Sequence, residues 1–350
     1  MRPTSPSTTR LRTVLAAATA GLAAAACLTA AGPANAQAAR ACSPAVSLAG
    51  YSDALDKTTY EDAFVGNFSA LAADTDGSLL ALSDRSALFA LDARTLGPRA
   101  VVPLATDTGA ALDAEGLAVD RDGTRLVASE TEPSVRRYDR TGRPLGGLPV
   151  PDALRVAPAG RATANQTFEG LTLLPGGRML LATMEEALAG DTTDVVRFQT
   201  WRRHGGGRDF RLGAQYGYRA DTGLGVVEAA GLPGGRLLVL ERGFTAGVGN
   251  TVRLYLADTR RATDTSGVDV LTGDDDGVRL VRKTLLADLV DCPSLGATAK
   301  QPQPNPLLDN IEGMTVTGRH GGRLDVLLVS DDNQNAVQTT RFYALRVRLR

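Results

Sequence analysis

The chain has 350 residues, with 38 Lys and Arg against 39 Asp and Glu, for a formal net charge of −1. That balance excludes a nucleic-acid binder working by bulk charge and an acidic solvating tail. Two histidines exclude a zinc site built from several imidazoles.

In chain order, a leader comes first. Arg2, Arg10 and Arg12 precede an Ala-rich apolar run over residues 14–30, and Ala34-Asn35-Ala36 offers small residues for cleavage. This is the pattern of a secretory signal peptide over residues 1–36, followed by a single domain over 37–350. A lipoprotein anchored through Cys27 is the alternative, although Ala24 stands where such sites usually carry Leu. Loss of three arginines and no acid takes the formal charge from −1 to −4. No later run reaches the ~18 apolar residues of a membrane helix, so no span is expected.

After cleavage two cysteines remain, Cys42 and Cys292. In an exported protein an even pair reads as a disulfide, here tying the start of the mature chain to a segment near its end.

The next elements repeat. "FSALAADTDGSLLALSD", "AEGLAVDRDGTRLVASE", "FEGLTLLPGGRMLLATMEE", "VEAAGLPGGRLLVLERGF" and "IEGMTVTGRHGGRLDVLLVSDD" each give a short strand, a Gly-containing tight turn and a second Leu/Val-rich strand. Several copies add a third strand. Equivalent positions are Ser69, Glu115, Glu169, Val227 and Glu312, at intervals of 46, 54, 58 and 85 residues. Small antiparallel sheets at this period predict an all-β fold, a β-propeller. The long last interval has room for another blade around "GVRLVRKTLLADLV", so six blades are expected, with five or seven as alternatives. The C-terminal strand "RFYALRVRL" and the disulfide would close the ring. "QPQPNPLL" at residues 301–308 reads as an extended connector. The acidic run at 274–277 lacks EF-hand spacing and reads as a solvated turn.

In a propeller the innermost strands line a central channel. Glu115, Glu169 and Glu312 would then converge on one mouth. Carboxylates gathered in a small volume repel one another unless a cation is present, and hard oxygen donors favour Ca²⁺. Glu130, Glu185, Glu186, Asp331, Asp332 and Asn333 follow second strands and would reach the same face. So would Arg85 and Arg242, whose forked guanidinium groups suit a phosphate or carboxylate. Acids, arginines and a metal together equip a site for phosphate-ester hydrolysis. The competing reading is that each Glu fastens neighbouring blades. No G-x-S-x-G elbow, Walker loop or dinucleotide fingerprint occurs.

The ordered set "N-x-x-FEGL…LLATMEEAL", "GRLLVLERGF…GNTVRLY" and "NIEGM…LDVLLVSDDN" resembles the bacterial phytase-like family, described as having esterase-like activity of phytase. The likeness runs over most of the chain. It implies a β-propeller that hydrolyses esters or phosphate esters at its channel mouth. By motif position Glu169, Glu185, Glu241, Arg242, Asn250, Glu312, Asp331 and Asn333 match. The first blade departs, with "GNFSALA" for the family's Gly-Leu-Ser-Gly-Leu phrase, and Val227 stands where a Ser or Asp is usual.

The resulting expectation is an exported, monomeric, metal-dependent hydrolase of a small-molecule ester. Glu115, Glu169, Glu312 and Asp331 would hold Ca²⁺. Glu185 would act as base, Arg242 and Arg85 would clamp the anion, and Asn250 and Asn333 would contact substrate. A calcium-dependent sugar lactonase and a non-catalytic secreted scaffold are the rival expectations.

Overall fold

The computed structural model describes residues 40–204, 207–273 and 277–349. The leader, Cys27 and residues 274–276 of the acidic turn lie outside them. Strand β1 (Val46–Ser52) comes first, then a small hairpin of β2 (Thr58–Tyr60) and β3 (Ala63–Val65). Blade one is β4 (Phe68–Ala73), β5 (Leu79–Ser83), β6 (Ala87–Leu91) and β7 (Pro98–Pro103). Blade two is β8 (Ala114–Val119), β9 (Arg125–Ser129), β10 (Ser134–Tyr138) and β11 (Pro144–Gly147). Blade three is β12 (Phe168–Leu173), β13 (Met179–Met184), β14 (Val195–Arg202) and β15 (Arg211–Arg219). Blade four is β16 (Gly225–Leu232), β17 (Arg236–Thr245), β18 (Gly249–Asp258) and β19 (Arg282–Asp288). Blade five is β20 (Ile311–His320), β21 (Arg323–Ser330), β22 (Phe342–Arg348) and, outermost, β1. The fold is an all-β propeller.

It has five blades among the described residues, not the expected six. The segment read as a sixth blade is β19, the outer strand of blade four, paired to β18 from Arg253↔Asp288 to Asp258↔Arg282. The connector after it carries Pro302, Pro304 and Pro306, which cannot donate to a ladder, and it forms no strand.

Each blade is packed on both faces, so middle strands such as β5 and β9 are buried at every position. Five apolar clusters fill the five seams between blades. Leu82 meets Leu117 between blades one and two, Leu126 and Leu171 share the next seam, and Phe198 and Val226 the third. Leu240 and Met314 share the fourth, and Phe68 with Val329 the seam that closes the ring. The Asp-Gly turns use Gly77 at φ 86° and Gly123 at φ 78°, where a side chain would be strained.

The ends of the chain join in blade five, where β1 pairs antiparallel with β22 from Val46↔Val347 to Ser52↔Phe342. The expected disulfide Cys42–Cys292 reinforces this closure. Arg341, buried, donates to Asp53 at 2.6 and 2.8 Å and to the carbonyls of Pro306, Leu307 and Thr298. Asp332 accepts from the backbone N–H of Asn67 at 3.0 Å and pairs with Lys57. These contacts pin the segment between β1 and β4 onto blade five.

Candidate active site at the channel mouth

The five inner strands β4, β8, β12, β16 and β20 each break register near their first residues. The shifts fall between Phe68 and Ala70, Ala114 and Leu117, Phe168 and Leu171, Val226 and Glu228, and Ile311 and Gly313. The skipped positions include Ser69, Glu115, Glu169, Val227 and Glu312, the five equivalent residues of the repeat. A bulge re-aims a side chain out of the pleat. It turns four of these residues into a cavity of about 470 Å³ at one end of the channel. Val227 is the exception and packs into the seam between blades four and five.

The glycine after each Glu has a different task. A Cβ on Gly116 would stand 2.3 Å from the carbonyl oxygen of Glu169, and one on Gly170 would stand 2.7 Å from the backbone nitrogen of Ala229. On Gly313 it would lie 3.2 Å from Cα of Ala70. Each glycine lets an inner strand approach its neighbour's backbone. The Glu-Gly pair is thus half site and half seam.

The ends of the second strands complete the mouth. Asp84 and Arg85 follow β5, Glu130 follows β9, Glu185 follows β13 and Asp331 follows β21, while Arg242 belongs to β17. Eight carboxyl groups, of Asp84, Asp113, Glu115, Glu130, Glu169, Glu185, Glu312 and Asp331, face the guanidinium groups of Arg85 and Arg242. Oxygens of Asp113, Glu115 and Glu130 lie within 4.8 Å of one another, as do those of Glu130, Glu169 and Glu185. Glu130 belongs to both groups. Its Oε1 also accepts the N–H of Thr167 at 3.0 Å, which fixes it across the seam between blades two and three. Glu312 is engaged differently. Its Oε1 lies 3.1 Å from Nη2 of Arg242 and accepts the amide of Asn310 at 2.9 Å. Arg242 is also 3.8 Å from Glu185. Asp331 accepts the N–H of Asn333 at 2.8 Å.

Burial in this crowded space favours the neutral acids. Desolvation raises Glu115 and Glu169 well above the usual carboxylate range, and neighbouring carboxylates add to it. Burial pushes Glu130 up to about 7, with Glu185 adding to the rise. It pushes Glu312 up to about 8 against the opposing pull of Arg242. Burial likewise raises Asp84 to about 7 and Asp331 to about 6, each helped by a nearby acid. Burial raises Glu185 too, opposed by Arg242.

Farther along the inner strand β16, Glu228 is 1% exposed. Its Oε1 accepts the N–H of Ala229 at 2.8 Å, and burial raises its carboxyl well above the usual range against the pull of the N–H groups of Ala229, Leu171 and Met314. At the opposite end of the inner strands, ion pairs Asp74–Arg125 and Asp120–Arg203, both 2.6 Å, fasten blade one to two and two to three. Much of the fastening thus falls to acids outside the mouth.

Among residues expected at the site, Glu115, Glu169, Glu185, Arg242, Arg85, Glu312, Asp331 and Asn333 line one cavity. Asn250 does not; it is buried on β18, with its N–H donated to Gln303 at 2.8 Å. Glu241 points away from Arg242 and accepts from Tyr218 Oη at 2.6 Å, Lys283 at 2.6 Å and the N–H of Asp221 at 2.8 Å. Asp332 serves the blade closure described above. Asp113 and Asn310 were missed, although each stands two residues before a mouth Glu, the spacing that shares a strand face.

No curated protein matches the sequence. Among solved structures, a gluconolactonase of Xanthomonas campestris is similar at 13% identity and a TM-score of 0.41, over 79% of this chain and 71% of that one. Virginiamycin B lyase from Staphylococcus aureus is similar at 10% identity and a TM-score of 0.38, over 83% of each chain. The family model described as phytase-like, esterase-like activity of phytase, matches residues 63–334. Spanning most of the sequence and all five inner strands, that match establishes that the chain belongs to the phytase-like family.

Proposed function

We propose that the protein is an exported, metal-dependent ester hydrolase acting at the channel mouth. Phosphate monoesters are the first substrate class and carboxylic esters the second. The observation that carries this reading is the convergence of eight carboxyl groups and two arginines on one cavity of about 470 Å³. So many acids cannot all ionise together in a buried space without a compensating cation. Their oxygens are hard donors, which suit Ca²⁺ or a similar ion.

Glu115, Glu130 and Glu169 would hold that ion, with Asp113 and Glu185 on its flanks. Glu312 and Asp331, expected as ligands, are better placed to set the charge of Arg242 and to shape the rim. A bound cation would polarise the ester oxygen and lower the pKa of a water. Glu185 receives the proton of the attacking water, since Arg242 beside it favours its ionised form. Arg242 meets charge developing on the ester, and Arg85, with 62% of its side chain exposed, takes a substrate anion at the rim. Asn333 offers an amide there. The disulfide supports export. No described helix is long and apolar enough to cross a membrane.

Charge decides how strictly the ion is needed. A phosphate dianion cannot approach the acidic mouth until a cation offsets it, whereas a neutral carboxylic ester can. The test is hydrolysis of p-nitrophenyl phosphate, p-nitrophenyl acetate and a sugar lactone, each with Ca²⁺ and with EGTA. Phosphate turnover abolished by EGTA is expected. Phosphate turnover indifferent to EGTA overturns the metal reading, preference for the lactone moves the substrate class, and no turnover of any leaves a binding scaffold.

A further inference from the structure

The mouth does not end at its rim. A second cavity of about 480 Å³ lies over blades one and two and shares Asp84, Arg85 and Asp113 with the mouth. A third, of about 370 Å³, shares Thr131, Glu132 and Ser134 with the second and runs toward the outer edge of blade two. Through these shared residues the three cavities adjoin as a trench leading from the mouth over blades one and two.

The lining changes along it. The mouth is acidic. The middle section mixes the hydroxyls of Thr106, Ser129, Thr131 and Ser134 with the small apolar surface of Ala110 and Ala111. Both of its arginines have acids beside them: Arg136 faces Asp107 at 3.4 Å and Glu132 at 3.7 Å, and Arg85 lies 3.5 Å from Asp84, so with Asp113 also in the lining the section carries no surplus positive charge for an anion. Hydroxyls and short apolar patches beside arginines already paired to acids suit an uncharged, hydroxyl-bearing chain.

We propose that this trench seats the polyol or sugar portion of an extended ester, leaving the scissile bond in the mouth. The inference rests on the hydrolase reading for the position of the ester, but the trench can be tested without turnover. Binding of maltotriose would be followed by saturation-transfer difference NMR in the wild type, in Arg136→Ala and in Ala111→Trp. The last variant fills the middle section from an exposed position and removes no buried contact. Binding by the wild type, weakened about tenfold or more in both variants, is expected. No binding by the wild type, or equal binding in all three, overturns the trench. In a second arm, kinetics would compare trehalose 6-phosphate with p-nitrophenyl phosphate. A raised KM for the sugar phosphate alone in Ala111→Trp is expected, and an equal change for both substrates overturns the assignment. Failure of all turnover with sugar binding intact rejects the hydrolase reading and leaves the trench standing.

Discussion

Nη2 of Arg242 lies 3.1 Å from Oε1 of Glu312, a contact that carries blade four onto blade five at the edge of the acidic mouth. It places the most enclosed cation of the mouth among acids that burial would otherwise keep protonated. Arg242→Gln should lower kcat for ester hydrolysis by about 100-fold, the scale of losing one donor to developing charge. Arg242→Lys should recover part of it, because the charge returns without the fork. Steady-state kinetics with both variants check this, and unchanged kcat in Arg242→Gln removes Arg242 from the reaction.

The mouth acids predict a pH dependence. Their folded pKa values are raised, to about 6 for Asp331, about 7 for Glu130 and about 8 for Glu312. In the folded state they hold protons that the unfolded chain has released, so their contribution to stability is full below ~4 and is lost as pH rises toward 8. The metal-free protein should therefore melt at lower temperature at pH 8 than at pH 5. Millimolar Ca²⁺ should reverse much of that loss at pH 8 and little at pH 5, because protons compete with the ion. Differential scanning calorimetry with and without EGTA reads both effects.

Gly116→Ala should destabilise the ring. The added methyl would meet the backbone oxygen of Glu169 at 2.3 Å, which cannot move without shifting the neighbouring inner strand. A cost of about 1–3 kcal/mol is expected from overpacking. Gly50→Ala on the outer strand β1 meets nothing within 4 Å and should be close to neutral. Urea denaturation of the two variants separates seam from surface.

Glu241→Gln should cost about 2 kcal/mol of stability, since a fully buried charge loses its bond to Lys283. Below the melting transition kcat should stay within about twofold of wild type, because Glu241 faces away from the mouth. A large kcat loss in folded protein would place this residue in the chemistry.

Reduction of Cys42–Cys292, or the double change to serine, should cost about 5 kcal/mol. The bond spans 250 residues, and loop entropy grows with that span. Guanidinium unfolding with and without reductant measures it.

Much of the site was legible because one local device recurs. Ser69, Glu115, Glu169, Val227 and Glu312 could be aligned by their turns and second strands, and the same five positions mark the bulges. Blade number was not legible. Beyond β17 and β18, the 85-residue interval from Val227 to Glu312 holds one further strand, β19, and long connectors, and strand propensity alone does not tell an outer strand from a new blade. The orientation of adjacent residues was hidden as well. Glu241 and Arg242 are neighbours in one motif, yet alternation along β17 sends one into a seam and the other into the mouth. The centrality of Glu130 depends on distances between three strand ends, which a linear chain does not display.

Because β1 completes the sheet that β20, β21 and β22 begin, the earliest strand must wait for the last to emerge. During synthesis or translocation its partner does not yet exist, and four blades can form only an open arc with a bare edge at either side. Any cut between them, or an early stop before Phe342, leaves that arc unsealed, so proofreading of the whole length is built into the order of the strands.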